Sequence, residues 1–156
     1  MNEGYYPDEI SEMIELPQNL SSSPFLYEFY GTVRWSVKSI FNGYLGWFNG
    51  NPAELDPLSR KEKAKRISKL AGGENELIKE LRLAVDKEDM QWALELSDYL
   101  ISLDLFNSEV KTLRQKALIH EGAKSSNPNK RNYFLSSALE LNDCLLYTSD
   151  AADDDR

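Results

Sequence analysis

From position 59 to position 141 the apolar residues of this 156-residue chain recur at three- and four-residue spacing, and no two-residue alternation competes with them. A period near 3.6 puts such residues on one side of a helix, whereas a half-buried strand needs a period of two. The pattern restricts this part of the chain to packed helices. The first spans 59–70 and stops at Gly72-Gly73; a second covers 74–85. The third, 89–103, turns Trp92, Ala93, Leu96, Leu100 and Leu103 inward, with Asp89 placed to cap its first amides. Asp104-Leu105-Phe106-Asn107 breaks it. A helix over 108–122 follows with Val110, Leu113, Ala117 and Leu118 inward, and after the loop 124–128 a last helix runs to 141.

Upstream, Pro7 at a first helical position, acidic neighbours and Ile10, Met13 and Ile14 predict a short helix over 7–16. Ser21-Ser22-Ser23-Pro24 reads as a loop, and Gly31 permits entry to a long amphipathic helix over 32–48. Its apolar side chains Val37, Ile40, Phe41, Tyr44, Leu45 and Phe48 share one face counted from Val33. Asn49-Gly50-Asn51-Pro52 supplies a stop, so 49–58 is a tight connection rather than a domain linker. The sum is an all-α array of about six to seven helices. Trp92 and Ala93 early in one helix, with a Leu-Asp-x-x-Asn turn after it, resemble a tetratricopeptide repeat (TPR), whose period is about 34 residues. Leu105 stands where that turn usually has Pro, so one repeat-like antiparallel pair with degenerate neighbours is expected.

A chain of this length forms one domain by default and buries roughly 70% of its unfolded surface. With 18 basic against 26 acidic residues the net charge is −8, which opposes non-specific binding to nucleic acid or an anionic membrane. No apolar run approaches the roughly 20 residues that span a bilayer, and Met1-Asn2-Glu3-Gly4 lacks the features of a signal peptide. The chain reads as soluble, with no address of its own.

Catalytic chemistry is poorly supplied. A dinuclear zinc site needs clustered imidazole and carboxylate ligands, and the chain has one histidine, His120, with no second His or Cys at ligand spacing. It reads as a solvated helix-end residue, where the C-terminal dipole favours a cation. A serine nucleophile would depend on the same histidine as its base. Gly43, Gly46, Gly50 and Gly72-Gly73 match neither the dinucleotide fingerprint nor the phosphate loop, and read as helix caps and close packing. Arg60, Lys61, Lys63, Lys65 and Arg66, interrupted by Glu62, read as a solvated helix face.

Several separated blocks carry a family resemblance. They are Gly31-Thr32-Val33, Val37-Lys38, Tyr44-Leu45-Gly46-Trp47-Phe48, Gly50-Asn51-Pro52, Leu70-Ala71-Gly72-Gly73, Asp89-Met90-Gln91-Trp92-Ala93, Arg131-Asn132-Tyr133-Phe134-Leu135 and Ala138-Leu139-Glu140-Leu141. In this order, over residues 4–142, they resemble the dimerisation domain of the alkyl sulfatases. Members of that family join a zinc-binding metallo-β-lactamase-type domain, this helical domain and a small sterol-carrier-like domain. The resemblance implies a homodimer, a partner domain of metallo-β-lactamase type missing from this chain, and zinc held there and not here. It implies no turnover by this chain alone, the parent being a sulfuric ester hydrolase. Tyr30, in the Tyr-Gly segment that opens the domain, would lie near the parent's cleft and donate a hydrogen bond to a sulfate oxygen. Arg34-Trp35-Ser36 departs from the Ser-His-Asn of many members, so no role of those residues carries over.

The aromatic helix needs a partner surface, and aromatic residues are enriched at the centres of interfaces. Trp35, Ile40, Tyr44, Trp47 and Phe48 are the expected interface residues. A contrasting reading is a TPR-like adaptor that binds a peptide in a polar groove carrying Asn107, Lys111, Arg114 and Asn129. The tail is a separate matter. Cys144 and the residues to position 153 resemble the translation of a transposon-based sequencing adapter, so the expected division is a helical domain over 1–143 and a non-native tail over 144–156.

Overall fold

The computed structural model describes residues 3–150, with side chains described as far as Leu141. Among these every regular element is helical, as the periodicity required. The α-helices are α1 (Pro7–Met13), α2 (Gln18–Ser21), α3 (Val33–Leu45), α4 (Arg60–Ala71), α5 (Glu74–Asp86), α6 (Met90–Ser102), α7 (Ser108–Lys124) and α8 (Pro128–Asp150). They fall into two compact units. Residues up to Pro57, with Ser126–Asn129, make one; Leu58–Ser125 and the chain from Lys130 onward make the other.

The second unit holds the main core. Leu77, Leu81, Ala84 and Val85 of α5, Ala93, Leu96 and Leu100 of α6, and Val110, Ala117 and Leu118 of α7 are buried together, joined by Ala138 of α8. Burial of a Leu or Val side chain contributes roughly 1.5–3 kcal/mol relative to exposure, so the fully buried Leu81, Leu96, Leu100, Val85 and Val110 dominate this core. Asp89 caps α6 as expected, accepting from the Trp92 amide at 3.4 Å, and Ser59 and Asn107 cap α4 and α7 in the same way, accepting from Glu62 at 3.2 Å and Val110 at 3.0 Å. Gly72, left-handed at φ 97°, ends α4. Asp104, at φ 62°, breaks the chain after α6.

Trp92 differs from expectation. It sits next to the buried Ala93 yet is exposed, because Ala93, Leu96 and Leu100 define the inward line and Trp92 lies about 100° away from Ala93 on the helix. Helix α8 also continues past Leu141 to Asp150, since no Gly or Pro interrupts that run. Close packing falls to a glycine outside those expected to provide it. A Cβ on Gly122 of α7 would lie 2.8 Å from Cγ and Cδ2 of Leu135 and 3.3 Å from the Arg131 carbonyl oxygen, so this glycine lets α7 and α8 approach. Gly43, Gly46 and Gly50, expected to cap or pack, have nothing within 4 Å of such a Cβ.

In the first unit, α1 packs on α3. Thr32 accepts from the Trp35 amide at 3.0 Å and starts α3, and Val37 and Phe41 are buried. The helix ends at Leu45 rather than 48, because Gly46 takes φ 75° and donates its amide to the Asn42 carbonyl at 2.9 Å. The connection that follows is held by its own side chains. Asn49 accepts from the Asn51 amide at 3.0 Å, Asn51 from Ala53 at 3.1 Å, and the Asn49 amide group donates to Glu54 at 2.8 Å around a 3-10 turn over Pro52–Glu54. Gln18–Ser21 forms a short helical turn just before the loop, taking in Ser21 from the expected loop 21–24.

Candidate functional site

The apolar stripe of α3 is covered over its first turns and bare over its last. Val37 and Phe41 are 8% and 3% exposed, whereas Ile40, Tyr44 and Leu45 are 53%, 79% and 53% exposed on the same element. Ile40 comes just before the buried Phe41 and lies about 100° round the helix from it, whereas Tyr44 and Leu45 lie in the last turn. Just beyond the helix, Trp47 is 75% exposed and its ring meets that of half-buried Phe48 at 5.6 Å. Trp35, also exposed, points to the side of α3 away from Val37. Of the expected interface residues, Ile40, Tyr44 and Trp47 are exposed on α3 and its exit, Phe48 is half-buried, and Trp35 is exposed on the opposite flank of the helix.

A second apolar segment precedes α3. Phe25, Leu26, Tyr27, Phe29 and Tyr30 are all exposed, and the Tyr27, Phe29 and Tyr30 rings meet edge to face at 5.6 and 4.8 Å. Their backbone is pinned by side-chain amides: Asn127 donates to the Gly31 carbonyl at 3.2 Å and Asn129 to that of Tyr30 at 2.8 Å. Glu28 accepts from the Val33 amide at the start of α3. Tyr30 therefore has a fixed main chain and a ring open to solvent, lining a small cleft with Phe25, Phe29 and Gly31.

Elsewhere the polar residues serve the fold. Arg114 donates to Ser97 Oγ at 2.6 Å and Asp98 at 2.7 Å, Asn107 caps α7 and Asn129 holds Tyr30, so three of the four residues suggested for a peptide groove are engaged internally. Arg82 and Glu109 form a two-point ion pair between α5 and α7, with Nη2 to Oε2 at 2.9 Å. Hydrogen bonding to Glu109 raises the Arg82 pKa, and hydrogen bonding to Arg82 lowers that of Glu109. His120 is not the solvated residue expected. Its side chain is 31% exposed and Nδ1 is buried without a hydrogen-bond partner, 3.8 Å from Glu121 Oε1 and too far to bond. No group of three or more His, Cys, Asp or Glu side chains that could hold a metal occurs among the described residues. Nor is any helix among them long and apolar enough to cross a membrane.

Among the described residues the chain is an all-helical module with exposed aromatic side chains on and beside α3. The chain belongs to the alkyl sulfatase dimerisation family, whose model matches residues 6–143, as the sequence blocks indicated. It is 43% identical over 142 residues to a linear primary-alkylsulfatase of a Pseudomonas species, covering 90% of this chain and 27% of that protein. It is 34% identical to a Pseudomonas (R)-specific secondary-alkylsulfatase, over 90% of this chain and 21% of that protein. The solved structure of the stereoselective inverting sec-alkylsulfatase Pisa1 from Pseudomonas matches with a TM-score of 0.83 at 33% identity, over 90% of this chain and 22% of Pisa1. The chain thus spans about a quarter of the length of the relatives it matches.

Proposed function

We propose that this chain is the pairing module of an alkyl sulfatase, associating with a second copy about a two-fold axis and contributing no turnover of its own. An isologous contact requires a self-complementary patch, and the apolar surface around α3 supplies one. The observation that carries the reading is the exposure of Ile40, Tyr44, Leu45 and Trp47 on one short stretch. These side chains present on the order of 500 Å² at typical side-chain areas. A standard interface buries roughly 800 Å² per partner.

Sulfuric ester hydrolysis in the parent protein then belongs to a metallo-β-lactamase-type domain holding zinc, with alkyl sulfates as substrates in keeping with the names of the relatives. Tyr30 is the residue of this module assigned to reach that cleft, where its phenol would donate to a sulfate oxygen. Its solvent-facing ring and anchored backbone suit that role. The working module is 1–143, and 144–156 takes no part; the end of the family match at position 143 supports that boundary. Sedimentation equilibrium of a Tyr44→Ser/Trp47→Ser variant tests the surface. Association weakened a hundredfold or more is expected from the loss of two buried aromatic anchors, at about 2 kcal/mol or more each. Unchanged association would refute the assignment.

A further inference from the structure

We propose that Asn49 is a site of spontaneous covalent modification, closing a cyclic imide with Gly50 that opens to isoaspartate and loosens the connection after α3. An asparagine side-chain amide is attacked by the main-chain nitrogen of the residue that follows it, and a glycine there leaves the approach free of a Cβ. The chain has the pairs Asn42-Gly43 and Asn49-Gly50, whereas Asn51 and Asn127 precede prolines, whose nitrogen has no proton to lose. The fold separates the two pairs. Asn42-Gly43 lies inside α3, where the attacking amide is committed to the helix ladder. Gly50 is exposed outside any helix, at φ 92°, and its amide donates to no carbonyl among the described residues.

The side-chain amide of Asn49 is held on both sides. Its Oδ1 accepts from the Asn51 amide at 3.0 Å, so a main-chain N–H stands where charge gathers on oxygen as the ring closes. The Gly50 nitrogen loses its proton to solvent hydroxide and bonds to Asn49 Cγ; the Cγ–Nδ2 bond breaks, and the nitrogen leaves as ammonia with a proton from water. Water then adds to the main-chain carbonyl of the ring, and opening there leaves isoaspartate, with the main chain lengthened by one carbon and a new carboxylate beside it. Amide and water become carboxylate and ammonium, and nothing is oxidised or reduced. The product no longer holds the connection. In the unmodified chain Asn49 Nδ2 donates to Glu54 Oε2 at 2.8 Å and Asn51 Nδ2 to Glu54 Oε1 at 3.4 Å. Conversion removes the first donor and sets a carboxylate near that of Glu54, where like charges repel. The acceptor for the Asn51 amide moves away with the lengthened chain. Trp47 lies two residues upstream, so the reaction ages the surface proposed for pairing, and that consequence alone rests on the pairing reading.

The test is peptide mapping by mass spectrometry of the whole chain after incubation in mildly alkaline buffer, folded and in urea; the map reads the modification whether or not the chain pairs. In the folded chain Asn49 should convert about tenfold or more faster than Asn42, the difference being the opening of helical hydrogen bonds. In urea the two pairs should convert at similar rates. Asn49→Gln, whose longer side chain must close a larger ring, should stay intact. In the converted chain, hydrogen exchange at the Asn51 and Ala53 amides should accelerate about fivefold, while the α5–α7 core is unchanged. Asn42 reacting as fast as Asn49 in the folded chain, Asn49 converting only in urea, or unaltered exchange at Asn51 after conversion would overturn the proposal.

Discussion

Gly122→Ala and Gly43→Ala make the same chemical change inside two helices and are expected to act with opposite sign. In an open helix interior the change stabilises by roughly 0.5–1 kcal/mol, since glycine loses more backbone freedom on folding. Gly43 is such a place, with nothing near the added methyl. At Gly122 the same gain is offset by a methyl 2.8 Å from Leu135 Cγ and Cδ2 and 3.3 Å from the Arg131 carbonyl. The side chain can move only partly and the carbonyl hardly at all, and overpacking of this kind costs about 1–3 kcal/mol. Crowding outweighs the gain in backbone entropy, so Gly122→Ala should lose about 1 kcal/mol net. Urea unfolding at one fixed protein concentration reads both variants, and a double-mutant cycle identifies the cause. Leu135→Ala alone should cost about 1–2 kcal/mol at this half-buried position, and the Gly122→Ala/Leu135→Ala pair should lose less than the two singles together. A Gly122→Ala protein more stable than the parent, or a pair that loses the full sum, would refute the packing account of the α7–α8 crossing.

Other expectations concern the polar contacts. Because pairing with Arg82 lowers the Glu109 pKa in the folded state, its contribution is present above the unfolded carboxylate pKa and is lost as pH falls through the folded one. Glu109→Gln should therefore flatten the acid limb of a stability profile without altering the profile's shape near neutrality. Arg114→Met, which removes the donor to Ser97 and Asp98, should destabilise the chain by about 1–3 kcal/mol in thermal or urea unfolding. Asn127→Ala takes away the donor to the Gly31 carbonyl, and hydrogen exchange around residues 28–33 should accelerate roughly fivefold or more, while the α5–α7 core stays protected.

The helical architecture was legible because its signals are local. Asp89 caps the helix it precedes, and the Leu96–Leu100 and Val110–Ala117 lines are buried as their spacing requires. What was not legible depends on the length and placement of neighbours. Val37, Phe41 and Tyr44 share one helical face, yet only the first two are covered, and no spacing within α3 reveals that. Gly122 looks like a helix end in sequence, and only the approach of Leu135 shows it to be a packing residue. Gly46 ended α3 before the stronger Asn49-Gly50-Asn51-Pro52 signal, since the first glycine to take a left-handed angle suffices. Of the proposed interface residues, composition indicated the type, and the exposure of Ile40, Tyr44 and Trp47 showed which ones remain uncovered.

Association is the central claim, and the molar mass of the whole chain in solution tests it most directly. Size-exclusion chromatography with light scattering at tens of micromolar should give the mass of two chains, falling toward one on dilution. A single species with the mass of one chain over that concentration range would contradict the account.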